Sequence, residues 1–286
     1  MISKIRKLSI EQWADEVTSE FAQLPINPIA IAKSRDIAVQ PWTPKQKGVS
    51  GYLMKVGDSF GIGYSDFVQN PGFINFTVGH ELGHYFIQGH PEQLFSTGAT
   101  VHYSESGFVS GLDVEKEADL FAATLLMPSK LLRNAVNTSG SGLSAVEKLS
   151  QLCVTSLSAT AIRLADFSEN PMAVIVSGDG IVSFACLSPS LRERQGLTWL
   201  KRGDPVPMDS ATARFQKNSS SISNLGRQQS TSMLDDWFDG APRIEMNEDV
   251  IGLGNYGKTL TVLFTDEEID EEDEDVEEWK PRFQRR

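Results

Sequence analysis

Apolar residues at Phe73, Phe76, Leu82 and Phe86 fall at spacings that line one side of an α-helix. With Tyr85 and Ile87 continuing the stripe, the pattern predicts an amphipathic helix over residues 72–87. A second helical stretch, 114–128, opens with carboxylates and closes on Met127-Pro128. Upstream, the runs 52–56 and 60–64 flank Gly57-Asp58-Ser59 and predict an antiparallel hairpin. The N-terminal segment predicts a helix over 9–24, with Ser9 as N-cap and Gln12 completing a capping box, and a further helix after Asn27-Pro28.

Past Pro128, helical patterns at 129–136, 143–152 and 156–167 are separated by the loop Gly140-Ser141-Gly142 and by Val154-Thr155. Short apolar runs at 173–176, 181–185 and 260–264 then read as strands. Residues 217–232, rich in Ser, Asn and Gln, predict an exposed loop with little core to offer, and Trp237 and Phe238 anchor the return of the chain. The fold class is α+β, with the helices at 72–87 and 114–128 packed on a small antiparallel sheet, then a helical connector and a β-containing C-terminal domain.

Chemistry concentrates in the first helix, where His80-Glu81-Leu82-Gly83-His84 fits HExxH. Residues four apart stack on one helix face, so His80 and His84 can reach one ion while Glu81 faces its open side. All four histidines of the chain lie between positions 80 and 102. A catalytic zinc site usually takes three protein ligands and leaves a fourth position for water. Glu115, in the carboxylate-rich start of the second helix, is the predicted third ligand, and Asp119 on the same face is placed to bond the far nitrogen of a ligand imidazole. Glu117 points about 200° away round the helix and is the fallback ligand. Tyr103, His102 and Tyr85 are the nearby candidates for an oxyanion donor. In any other capacity His90 and His102 read as surface or loop histidines. The plainer alternative is a helix with polar residues and a solvated acidic helix start.

HELGH followed by E-x-E-A-D-x-F-A-x-x-L-L-M-P (Glu115 to Pro128) resembles the ImmA/IrrE family of bacterial and phage zinc metallo-endopeptidases, over about residues 25–168. The resemblance implies a zincin-like metallopeptidase domain, with zinc on His80, His84 and Glu115 and with Glu81 as catalytic base. It also implies cleavage of a helix-turn-helix transcriptional repressor, in stress response or mobile-element control. One zinc per chain is expected, with manganese the alternative. The chemistry that follows is peptide hydrolysis, Glu81 taking the proton of water and passing it to the leaving amine. A strand of the 52–64 hairpin offers an edge for substrate backbone, or else the hairpin serves only to cover the motif helix.

Composition narrows the rest. At 286 residues and 40% hydrophobic content the chain can bury a full core, and the segments group as 1–128, the metallopeptidase domain; 129–170, a helix-turn-helix-like connector; 171–265, a smaller domain with β content; and 266–286, an acidic tail. Residues 266–278 hold eleven acidic residues, and without them the net charge of −12 would be −1. Such a run predicts a solvated tail that repels nucleic acid. The would-be recognition helix 156–167 offers one basic residue, Arg163, so direct DNA binding is not expected. No segment has the ~20 apolar residues of a membrane helix, and a cytoplasmic protein is expected. Cys153 and Cys186 lack metal-site or disulfide spacing and read as buried thiols. Residues 252–259 fit the phosphate-loop pattern, yet Thr259 leads into a β-like run rather than a helix, so a hairpin turn is predicted and no nucleotide. The competing class is a regulatory, ligand-sensing or protein-binding module in which zinc is only a scaffold.

Overall fold

Ser3, rather than Ser9, starts the first helix in the computed structural model, which describes residues 2–44, 48–105 and 113–266. The Ser3 hydroxyl accepts from the Arg6 N–H at 3.2 Å and opens α1 (Lys4–Val17). Ser9 therefore lies inside the helix, where its hydroxyl donates back to the Ile5 carbonyl, and the Gln12 amide donates to Glu16 at 2.8 Å. The helix also stops at Val17, ahead of the expected residue 24, where Thr18 donates its hydroxyl to the Ala14 carbonyl. Next, α2 (Pro28–Ser34) forms as expected, with the Asn27 side chain accepting from Ala30 N–H.

Four strands form the first sheet: β1 (Ala38–Trp42), β2 (Val49–Val56), β3 (Ser59–Ser65) and β4 (Val101–Glu105), in the order β1-β3-β2-β4. The hairpin is present, with Val56 opposite Ser59. The sheet is nevertheless mixed rather than antiparallel throughout, because β3 inserts between β1 and β2 and runs parallel to β1. Both hairpin strands consequently have neighbours on both sides, and the expectation of an edge strand from the hairpin is corrected. Among the described residues the edges belong to β1 and to β4, a short polar strand whose pairing with β2 rests on backbone bonds that carry no sequence pattern.

Across this sheet lies α3 (Pro71–Phe86), capped by Asn70, which accepts from Phe73 N–H at 3.1 Å. After the short α4 (His90–Leu94) and strand β4, α5 (Asp113–Leu126) packs along α3. Their closeness depends on the motif glycine: a Cβ on Gly83 would stand 3.0 Å from the Ala118 Cα. Leu53 and Ile62 from the sheet, Val78 and Leu82 from α3, Phe121 and Leu125 from α5 and Ile10 from α1 make one buried core.

The connector helices α6 (Ser129–Ser139), α7 (Gly142–Cys153) and α8 (Leu157–Phe167) form where the pattern placed them. They pack on a second, antiparallel sheet built from β5 (Met172–Gly178), β6 (Ile181–Leu187), β7 (Arg227–Met233), β8 (Glu245–Gly252) and β9 (Thr259–Phe264), in the order β6-β5-β9-β8-β7. Val146, Leu149 and Leu164 meet Val174, Val176, Leu260 and Val262 in a core that spans connector and sheet. The inner strands β5 and β9 are buried on both faces, hence their continuous apolar runs. Four short helices, α9 (Pro189–Arg192), α10 (Ala211–Gln216), α11 (Ser219–Ser223) and α12 (Leu234–Trp237), lie around the sheet. Trp237 and Phe238 are buried, as their anchoring role required. Of the two thiols, Cys153 is buried and Cys186 only partly so.

Residues 217–232 depart from expectation. They hold α11, with Ile222 buried, and most of β7, an edge strand paired to β8 from Arg227 opposite Ile251 onward. Backbone pairing can recruit a polar Ser/Gln segment as readily as an apolar one when only one side is covered. Residues 252–259 turn the chain between β8 and β9 through one 3-10 turn, Gly254–Tyr256, with Gly257 at φ 63° and Thr259 beginning a strand, so no α-helix follows the glycines. Arg163 is buried, its guanidinium reaching Ser129, Glu11 and the Met127 carbonyl rather than solvent. No helix among the described residues is long and apolar enough to cross a membrane. Of the acidic tail expected over 266–286, everything after Asp266 lies outside the described residues.

Candidate metal centre

One helical turn separates His80 and His84 on α3, and their Nε2 atoms stand 3.1 Å apart. Glu115, near the start of α5, completes the group: Oε2 lies 3.2 Å from His80 Nε2 and Oε1 lies 3.4 Å from His84 Nε2. All three side chains are buried, and their donor atoms lie within 4.8 Å of one another. The tight α3–α5 contact over Gly83 sets this spacing, since each helix contributes ligands to one point.

The far nitrogens of the two imidazoles meet different partners. His80 Nδ1 lies 2.8 Å from Asp119 Oδ1, one turn beyond Glu115. His84 Nδ1 lies 3.1 Å from His90 Nδ1. Glu117 turns away from the group, as its helical angle required, and contacts His90 Nε2 at 3.0 Å and the Arg6 guanidinium at 2.7 Å. His90 is 1% exposed, so its reading as a surface or loop histidine is corrected. Burial of Ile87 just ahead of it carries the α4 start inward, and the sequence signal was the crowding of four histidines into one segment. His102 is corrected likewise: it is part-buried on β4, with Nε2 2.9 Å from Glu115 Oε1.

Tyr103 sits beside His102 but on the opposite face of the strand, by the alternation of β structure. Its ring packs on Trp42 and Tyr52, with centroids 5.6 and 6.0 Å away, and it is 53% exposed. Tyr85 packs edge-on against Phe60. Of the three candidate oxyanion donors, His102 is the one placed at the cluster.

Glu81 is fully buried, and neither carboxylate oxygen accepts a hydrogen bond of ordinary geometry among the described residues, the Ser104 hydroxyl, itself without a partner, acting on the carboxyl only weakly against its burial. Such a group costs free energy unless something else meets it. Gly51 of β2 makes room for it, since a Cβ there would lie 3.1 Å from Glu81 Oε1 and 2.5 Å from Thr77 Cγ2. Two imidazole nitrogens, one carboxylate and an unpartnered second carboxylate fit a zinc ion with an open position for water.

Electrostatics follow the packing. Burial works against a charge on His80, but the Asp119 and Glu115 carboxylates outweigh it and raise the imidazole to about 10. Burial lowers His84 to about 3 and leaves it neutral, the form that ligates a metal. Burial also raises the Glu81 carboxyl to about 7. For Glu115 burial is outweighed by His102, His80 and His84, which together hold the carboxyl well below the usual carboxylate range.

Residues 70–165 match the model of the Peptidase_M78 family, described as an IrrE N-terminal-like domain. The span runs from the cap of α3 through most of α8 and contains every residue of the cluster except Arg6. A solved Mycobacterium tuberculosis transcriptional regulator is similar over 92% of this chain and 76% of its own, with a TM-score of 0.57 and 13% sequence identity, a likeness of fold. No curated protein matches the chain.

Proposed function

We infer, taking residues 70–165 as an IrrE N-terminal-like domain of the Peptidase_M78 family, that the chain is a zinc-dependent metallo-endopeptidase with a zincin-like catalytic domain. The observation that carries this reading is Glu81, buried and unpartnered beside a His-His-Glu donor set. A scaffold site has no need of a second, non-ligating carboxylate, whereas hydrolysis needs a base. His80, His84 and Glu115 would hold the metal, and Asp119 would orient His80. Zinc, when bound, supplies Lewis acidity and lowers the pKa of water toward ~7. Glu81 would take a proton from the attacking water and give it to the leaving amine. His102 is the remaining candidate to donate to the developing oxyanion, and β4, an edge strand of the first sheet among the described residues, is where substrate backbone can pair.

The substrate class follows from the family resemblance: a helix-turn-helix transcriptional repressor, cleaved to release its genes. The test is metal content together with cleavage of a repressor encoded beside this chain. Wild type binds one zinc and cuts; Glu81→Gln binds zinc and does not cut; Glu115→Ala loses the metal. A zinc-loaded wild type whose regulatory effect survives Glu81→Gln would instead favour the scaffold reading, and a wild type that binds no metal would remove the site altogether.

A further inference from the structure

We propose that His90, Glu117 and Arg6 are positioning residues that fix the tautomer and orientation of His84, so that its Nε2 lone pair faces the metal. The proposal rests on the metal-site reading above and adds residues that the HExxH pattern does not include.

Hydrogen-bond direction carries it. A contact between two imidazole nitrogens needs one donor and one acceptor, and geometry alone leaves the His84 Nδ1 to His90 Nδ1 contact undirected. The direction is set at the other end. Ionised Glu117 can only accept, so His90 Nε2, 3.0 Å from Glu117 Oε2, must be the donor. Glu117 already pairs with the Arg6 guanidinium, and a second cation buried on the same carboxylate would be uncompensated, so His90, 1% exposed, carries the Nε2 proton alone, has a bare Nδ1 and accepts from His84. His84 in turn carries its proton on Nδ1, which leaves Nε2 unprotonated on the side shared with His80 and Glu115.

Arg6 keeps this end of the chain in place. Its Nε and Nη2 donate to the same Glu117 oxygen at 2.9 and 2.7 Å, its Nη2 also reaches the Gln88 carbonyl, and its guanidinium lies over the Trp13 ring. Helices α1, α4 and α5 thus converge on one ligand imidazole. His80 is oriented by a single carboxylate, Asp119, whereas His84 reaches its carboxylate through a second histidine. The arrangement also gives the first turn of α1, outside the matched span 70–165, a part in the site.

Two measurements test it. Long-range 15N–1H correlation spectra of the metal-free wild type should show His84 protonated on Nδ1, and a proton on Nε2 overturns the proposal. Zinc affinity, by chelator competition, should fall ~10–100-fold in His90→Phe, which removes the acceptor. His90→Gln keeps a carbonyl to accept from His84 and an amide to donate to Glu117, so it should return to within a few-fold of wild type. Equal zinc affinity in His90→Phe and wild type, or no recovery in His90→Gln, refutes the relay. Thermal melts of the metal-free variants separate lost folding from lost positioning. If wild type itself takes up no zinc, the metal-site reading fails, while the His84 tautomer still decides the relay.

Discussion

Glu81 and Glu248 are both fully buried glutamates, one in each half of the molecule, and their surroundings could hardly differ more. Glu248, on β8, accepts from the Ala211 and Thr212 N–H groups at 3.0 and 2.8 Å and from the Thr212 hydroxyl at 2.7 Å. Its charge is fully employed in holding α10 against the second sheet. Glu81 has the same burial and accepts no hydrogen bond of ordinary geometry among the described residues. A buried carboxylate that the protein satisfies is architecture; one that it leaves unsatisfied beside three metal-ligating side chains is kept for chemistry.

The comparison breaks most sharply under substitution. Glu81→Gln should cost on the order of 10²–10⁴ in cleavage rate, the usual contribution of a general base, with zinc content kept and folding stability changed by less than ~1 kcal/mol. Glu248→Ala should do the reverse. It leaves two N–H groups without their acceptor, the Thr212 hydroxyl keeping the Thr261 hydroxyl at 2.7 Å, for a loss of about 3 kcal/mol in urea unfolding, with zinc affinity unchanged. A Glu248→Ala protein as stable as wild type would show that the satisfied carboxylate is dispensable, and the contrast would fail.

How far the sequence discloses each half differs for the same reason. The HELGH helix and the helix bearing Glu115 announce themselves through 3.6-residue periodicity and a motif whose ligands are four apart, so local spacing equals spatial spacing. Glu248 has no such signal: its partners lie 36 and 37 residues away, beyond α11, β7 and α12, and only tertiary packing brings them together. Strands β4 and β7 are hard to read because edge strands pair by backbone and leave polar side chains outward. Ser9 and Gln12 fit a capping box better than Ser3 does, but Arg6, bound to Glu117, ties the preceding turn to α5 and keeps it helical. For His90 the crowding of four histidines into one segment is the whole of the signal, because its partners sit on α3 and α5 and no local spacing shows the carboxylate that will meet it.

A smaller effect sharpens the role of the α3–α5 contact. Gly83→Ala puts a methyl group 3.0 Å from the Ala118 Cα, where backbone cannot yield as a flexible side chain would. The expected cost is about 1–3 kcal/mol of overpacking, read in thermal or urea unfolding. Because the same contact sets the distance between Glu115 and the two histidines, zinc affinity should drop with it. Unfolding and affinity that move independently would separate the helix contact from the ligand geometry.

The gentlest probe is pH. In the metal-free protein His80 titrates at about 10, so at neutral pH its imidazole holds a proton between the Asp119 and Glu115 carboxylates. Zinc needs the bare Nε2 and must displace that proton. The sign follows: below about pH 10 each zinc bound at His80 releases a proton, so apparent affinity rises with pH, by up to about tenfold per unit. His84, lowered to about 3, is already neutral at neutral pH and adds no slope there. Calorimetric titrations at neutral pH of Glu81→Gln, which removes the other group that titrates near there, in buffers of different ionisation enthalpy should therefore report close to one proton released from the ligand histidines, where two ordinary histidines would release a fraction of one between them. Removing the partner of His80 with Asp119→Asn should reduce that count, and an Asp119→Asn protein with the same proton release would show that the charge on His80 has another source.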